Sequence, residues 1–309
     1  MVMIRGGTFL MGSDHHYPEE APARPVRVDS FLIDRTPVVN RDFMAFVEST
    51  GYVTVPERHP DPADYPGALP HMMQPGSLVF SPPASVSGMH APYQWWSYEF
   101  GADWRHPLGS FSSLEGLLDH PVVHVAYADA CAYARWAGKS LPTEAEWEFA
   151  ARGGLEGTEY AWGKDFTPDG RYMANTWQGR FPVQNLLLDG YLRTSPVGAF
   201  PANGYGLFDM IGNVWEWTDD YWVDRHAATH PAGAVDVNPR ARLEASSFDC
   251  GQPASRIPCR VVKGGSHLCS PDYSRRYRPA ARSAEPEDSS SSHVGFRCVR
   301  RLAATAATC

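Results

Sequence analysis

The sequence predicts an α+β fold with little regular secondary structure and long loops. Three observations lead there. The 27 glycines and 27 prolines in 309 residues punctuate the chain so often that the elements between them are short. Only three stretches carry helical periodicity. The segments that alternate apolar with polar residues are brief.

The first predicted helix begins at Asn40 as its cap. Phe43, Phe46 and Val47 then fall at i, i+3 and i+4, and Gly51 closes it. A second runs from about Tyr127 to Trp136 and stops at Gly138. The third, in LPTEAEWEFAARGG, has Thr143 as N-cap, Glu146 as its capping-box partner and Gly153 as terminator, with Trp147 and Ala150 sharing its inner face. Strands are expected at Val26 to Ile33, Val122 to Val125 and Arg260 to Lys263. Residues 53–119 and 223–258 read as long loops, the first packed because it carries Trp95, Trp96 and Trp104. No repeat of 20 to 50 residues is present.

Composition excludes several functions. A formal charge of -8 and a pI near 5.8 argue against nucleic-acid binding, which needs a basic face. The basic cluster Arg275, Arg276 and Arg278 is too small for a polyanion surface. The first residues, MVMIRGGTFLMGS, lack the apolar stretch of a secretory signal, and no run approaches the ~18 apolar residues of a membrane span, so a cytoplasmic protein without membrane contact is expected. Six cysteines, with no C-x-x-C pair, suit neither a disulfide scaffold nor structural zinc. G-x-S-x-G, H-E-x-x-H, G-x-x-x-x-G-K and G-x-G-x-x-G signatures are missing. His226 and His230 have i, i+4 spacing, but Pro231 and the loop context make them a surface pair rather than a metal site.

What remains is an ordered set of phrases. They are GGTFLMGS at 6–13, DHPVVHVAYADA at 119–130, AGKSLPTEAEWEFAARGG at 137–154, NGYGLFDMIGNVWEWTDDYW at 203–222, KGGSHLC and SRRYRPAAR within 263–282, and GFRC at 295–298. Together they resemble the formylglycine-generating enzyme and sulfatase-modifying-factor family over about residues 3–300, leaving 301–309 as a tail. The resemblance implies one domain of the formylglycine-generating type, related to C-type lectin-like folds. It also implies a monomeric, copper-dependent oxidase that uses O2 to convert the cysteine of a C-x-P-x-R segment in an unfolded sulfatase into formylglycine.

In such enzymes two cysteines with four residues between them hold Cu(I), which prefers soft thiolates. Cys269 matches the first, but the second position is Ser274, a hard hydroxyl that stays protonated near neutral pH. Three accounts are open: a deliberate Cys-to-Ser replacement, a natural enzyme working with one protein thiolate, or a non-catalytic peptide-binding paralogue. On the oxidase reading Cys269 binds Cu(I) weakly and a substrate thiolate completes the site. Ser266 and Tyr273 then stand nearest the thiol chemistry, and Trp95, Trp96, Trp104, Trp215 and Arg276 contact the peptide. An iron-dependent sulfoxide synthase of related fold is disfavoured, because Ala232 stands where a glutamate should follow His226 and His230.

The resemblance further implies two calcium sites. One uses the side chains of Asn175 and Asp189 with the carbonyls of Thr176 and Tyr191. The other uses Asp209 and Glu216 with the carbonyls of Gly212 and Val214. Both sets mix the oxygen types that Ca2+ accepts. The serine-rich EPEDSSSSHVGFRC, which composition alone makes a linker, matches a family phrase that runs close to the active site. Relatives with a GFRC disulfide carry its partner where this chain has Ala134. Cys131 lies one helical turn away, which leaves a Cys131 to Cys298 bond open.

Overall fold

The computed structural model describes residues 1–226, 234–248 and 257–302. Twelve strands and three α-helices occur there. The strands are β1 (Val2–Ile4), β2 (Gly7–Met11), β3 (Arg24–Val28), β4 (Phe31–Ile33), β5 (Gly76–Phe80), β6 (Trp96–Phe100), β7 (Trp215–Tyr221), β8 (Asp236–Val237), β9 (Cys259–Lys263), β10 (Arg282–Pro286), β11 (Val294–Gly295) and β12 (Val299–Arg301). The helices are α1 (Asn40–Thr50), α2 (Tyr127–Trp136) and α3 (Glu144–Arg152). They form small sheets ordered β1-β4-β12, β2-β3-β8, β10-β9-β7-β11 and the hairpin β5-β6. The α+β architecture of short strands and long connections stands as expected.

The two ends of the chain meet on one strand, since β1 and β12 both pair antiparallel with β4. One apolar core then joins residues as far apart as Phe9, Phe43, Trp147, Trp217 and Phe296. At its centre lies α3, every residue of which is buried. Thr143 caps it as read: its Oγ1 accepts from Glu146 N at 3.0 Å, and Glu146 Oε2 accepts from Thr143 N at 2.8 Å. Gly153 ends it at φ 58°, a left-handed conformation that glycine adopts without penalty.

Burial on all sides gives α3 an uncommon load of charge. Glu148 accepts from Arg152, Lys263 and the Gly12 N–H, while Glu144 faces Arg282, Lys263 and His226. Burial pushes both carboxyls up, but these cations overcome it and hold both below the usual range.

Several expectations are corrected. Asn40 is the first helical residue and Val39 the cap, because the Asn40 amide is drawn away to Leu117 O at 2.8 Å. Val26 to Ile33 is two strands, broken at Asp29 and Ser30. Val122 to Val125 forms no strand, since His124 adopts φ 57°. His226 is no surface residue: it is buried, with Nε2 3.5 Å from Glu144 Oε1, while His230 and Ala232 lie outside the described residues. Cys131 and Cys298 are both free thiols, so the open disulfide is not formed.

Candidate active site

Strand β9 delivers the chain into the segment that carries the candidate chemistry. Gly264 and Gly265 follow it at φ 94° and 70°. A Cβ on Gly264 would lie 2.9 Å from Met210 O, and one on Gly265 2.9 Å from Tyr277 N, so this double turn admits little else. The turn brings Ser266 N to donate to Cys269 Sγ at 3.4 Å and Ser266 O to accept from Cys269 N at 2.9 Å. A second turn, Ser274 N to Ser270 O at 3.1 Å, folds the chain back until Cys269 Sγ and Ser274 Oγ are 3.9 Å apart. The two positions singled out from the sequence therefore share one site.

Cys269 is only 3% exposed. Burial pushes its thiol up, against the opposing pull of the Ser266 N–H, the Ser274 hydroxyl and Arg276. Burial therefore favours the neutral thiol over the thiolate.

Ser266 has a partner that sequence reasoning missed. Its Oγ lies 2.9 Å from His293 Nδ1 and also accepts from Leu268 N at 3.2 Å. Burial, reinforced by neighbouring His267 and His124, lowers the His293 pKa to about 3, so the ring is neutral at ordinary pH. The signal was present in SSSSHVGFRC, the phrase expected to run beside the site, but the imidazole stands 27 residues from the serine it meets.

The aromatic candidates divide. Tyr273, 40% exposed, stacks on Phe181 with centroids 4.5 Å apart and meets the edge of Trp95 at 5.7 Å. Trp96, partly exposed, lies 4.8 Å from the His293 ring. Tyr273 and Trp96 border the Cys269 segment, whereas Trp95, 1% exposed, is buried behind Tyr273 in a small aromatic cluster with Phe80, Trp177 and Phe181, so its expected substrate contact is corrected. Trp104 does not border it either: it is 1% exposed and packs on Phe43 at 5.2 Å in the main core, so its expected substrate contact is corrected. Trp215 is likewise a core residue, and its backbone N–H donates to His293 O. Arg276 is taken up by Glu19, the Arg282 carbonyl and the face of Tyr17, so it braces the segment instead of projecting toward a ligand.

The first calcium set is drawn together. Asp189 accepts from Thr176 N at 3.0 Å and Tyr191 N at 3.0 Å, and burial raises its pKa. Asn175 Oδ1 is buried without a hydrogen-bond partner, an acceptor that a cation would satisfy. The Gln178 amide nitrogen meets both Asp189 Oδ2 and Thr176 O, so it would have to yield to an ion. In the second set Glu216 accepts from Trp147 Nε1 at 2.7 Å and from Arg297 Nε at 2.7 Å. Asp209 accepts from Gly198 N at 2.7 Å, and burial raises its pKa to about 6. Two buried carboxylates against one guanidinium leave a negative charge that a cation could balance, with Glu216 shared. Among the described residues no group of three His, Cys, Asp or Glu side chains could hold a metal alone, and no helix is long and apolar enough to cross a membrane.

The sequence profile of the sulfatase-modifying factor enzyme 1-like domain matches residues 1–302. The chain belongs to this family. It is 50% identical to a formylglycine-generating enzyme of Mycobacterium tuberculosis, over 97% of each chain, and 48% identical to one of Thermomonospora curvata, over 96% of this chain and 92% of that one. It is also 39% identical to the mouse inactive C-alpha-formylglycine-generating enzyme 2, over 96% of this chain and 84% of that one. The structure of PvdO from Pseudomonas aeruginosa shares the family fold with a TM-score of 0.61 at 24% identity, covering 97% of this chain and 93% of that one.

Proposed function

We propose that this family member oxidises a cysteine in a C-x-P-x-R segment of an unfolded sulfatase to formylglycine, with O2 as oxidant. The observation that carries the reading is the pairing of Cys269 Sγ with Ser274 Oγ at 3.9 Å beside half-exposed Tyr273, in a chain half identical to proteins named for that activity. The donor set fits Cu(I) in part. Cys269 is a soft ligand, Ser274 is not, and a substrate thiolate would supply the second sulfur. Bound so, the metal supplies O2 activation.

The chain's own residues prepare that site. The Ser266 N–H steadies charge on Cys269 Sγ. Neutral His293 fixes the Ser266 hydroxyl, and Tyr273 with Trp96 forms an aromatic border for the incoming peptide. Calcium at the Asn175 and Asp209 sets would brace loops that lack regular ladders. A second reading, a peptide-binding protein without turnover, draws on Ser274 itself.

The test incubates the full chain with Cu(I), O2 and a C-x-P-x-R peptide, followed by mass spectrometry, in parallel with Ser274→Cys. Thiol-to-aldehyde mass loss in both, larger in the variant, is the expected result. Peptide binding that raises no Cu(I) affinity, with no aldehyde from either protein, would overturn the oxidase in favour of the binding reading.

A further inference from the structure

The hairpin β5-β6 pairs Gly76 with Phe100, Leu78 with Tyr98 and Phe80 with Trp96. At its ends the Gly101 N–H donates to Pro75 O at 3.0 Å and the Ser81 N–H to Trp95 O at 2.9 Å. Antiparallel bonding alternates, so the bonds between the two strands fall at Ser97 and Glu99, and the main-chain groups of the residues between them point outward. On β5 those outward groups are used: Leu78 N donates to Ser290 O at 3.2 Å, and Leu78 O accepts from Ser292 N at 2.9 Å. On β6 the outward groups of Trp96, Tyr98 and Phe100 have no main-chain partner, since among the described residues β6 pairs with β5 alone. Nothing guards this edge: β6 has no proline, lysine or bulge, and Tyr98 and Phe100 are exposed. The edge also starts at the candidate site. The Trp96 ring lies 4.8 Å from the His293 ring, His293 Nδ1 lies 2.9 Å from Ser266 Oγ, and Ser266 N donates to Cys269 Sγ at 3.4 Å.

We propose that the open edge of β6 docks an extended segment of the unfolded substrate polypeptide through its main chain, as a third strand of this hairpin. The inference rests on the reading that a peptide thiol is presented at Cys269. At about 3.3 Å per residue, Trp96 to Phe100 gives roughly 13 Å of edge leading away from the site. Trp96, Tyr98 and Phe100 each offer one N–H donor and one carbonyl acceptor along it. The segment that lies there precedes the reactive cysteine. In C-x-P-x-R the proline after the cysteine lacks the N–H a ladder needs, whereas the residues before the cysteine carry no such restriction. A main-chain ladder reads no side chains, so partners of unrelated flanking sequence dock alike. A folded partner has its own main-chain groups paired and offers none. A second copy of this chain is the poorer occupant, because each copy carries a formal charge of -8 and repels the other.

The experiment uses the full chain with C-x-P-x-R peptides that begin either at the cysteine or about six residues before it. The added residues are N-methylated in two alternate sets, each removing every second N–H. Affinity is read by calorimetry, turnover by mass spectrometry and oligomeric state by light scattering, for the parent protein and Tyr98→Pro. The Tyr98 N–H faces away from β5, so proline there leaves the hairpin ladder intact. The extension should tighten binding about tenfold, and one methylated set should abolish that gain while the other largely keeps it. Tyr98→Pro should cancel the gain without weakening the short peptide, raising KM with kcat unchanged. No gain from the extension, or equal loss from both methylated sets, would overturn the docking edge. So would a dimer of the parent that Tyr98→Pro dissociates with peptide affinity unchanged, an outcome that assigns the edge to a second copy. Alternating loss of binding without aldehyde would sink the oxidase reading and leave the docking edge standing. Aldehyde formation with no gain from the extension would do the reverse.

Discussion

Replacing Glu20 by Gln should destabilise the whole Cys269 region. Glu20 and Arg278 are both buried, and they form a two-pronged pair: Arg278 Nη1 donates to Glu20 Oε2 at 2.8 Å, and Nη2 donates to Oε1. Arg278 Nε also donates to Arg275 O, so the guanidinium holds the backbone of the segment as well as the acid. Removing the charge leaves a guanidinium in the interior with no compensating carboxylate, which costs about 3 to 5 kcal/mol. At roughly 2 to 4 °C per kcal/mol for a large domain, Tm falls by about 10 °C. Differential scanning calorimetry reads this, and a Glu20→Leu, Arg278→Met double variant should recover most of the loss, since it removes both charges. A Tm within 2 °C of the parent for Glu20→Gln would refute the argument.

Three further outcomes follow from the geometry. Trp104→Ala should cost about 3 to 5 kcal/mol of stability measured by urea titration, whereas Trp96→Ala should leave stability nearly unchanged and weaken peptide binding. Glu144 and Glu148 are held below the ordinary carboxylate value of 4.5, so their contribution is present above that pH and lost as pH falls through the depressed values; Glu144→Gln should flatten the acid limb of a stability curve. Asn175→Ala removes the unpartnered oxygen, so calcium titration should show weakened binding at one of two sites, with thermal protection by calcium reduced to match.

Local signals were legible in the sequence, and tertiary ones were not. The Thr143 cap and its Glu146 partner lie three residues apart, so their chemistry reads directly from the chain. Asn40 has the right side chain for a cap, yet a carbonyl 77 positions away takes its amide. The tryptophans show the difficulty most plainly. Trp95, Trp96 and Trp104 occupy one stretch of sequence without periodicity, and nothing local tells that Trp96 opens a strand and borders His293 while Trp104 faces Phe43. Cys269 and Ser274 were identified through motif resemblance, and a turn of five residues then makes their proximity natural. The arginines that follow read as a small basic cluster, but Arg275, Arg276 and Arg278 each meet a glutamate from elsewhere: Glu159, Glu19 and Glu20.

Strand β7 works as the ruler of the site. It pairs antiparallel with β9, whose end launches Ser266, and parallel with β11, whose start anchors His293. The Ser266 to His293 contact is thus set by two interstrand spacings of about 4.8 Å each, measured across β7. The register of β7 against β9 is regular at Glu216 and Trp217 and slips only toward Tyr221, at the opposite end. Its tolerance for error therefore lies where no chemistry depends on it. A single residue inserted near Trp215 would displace β9 and β11 in unequal measure and part the serine from the imidazole, with every residue of the cluster still in place.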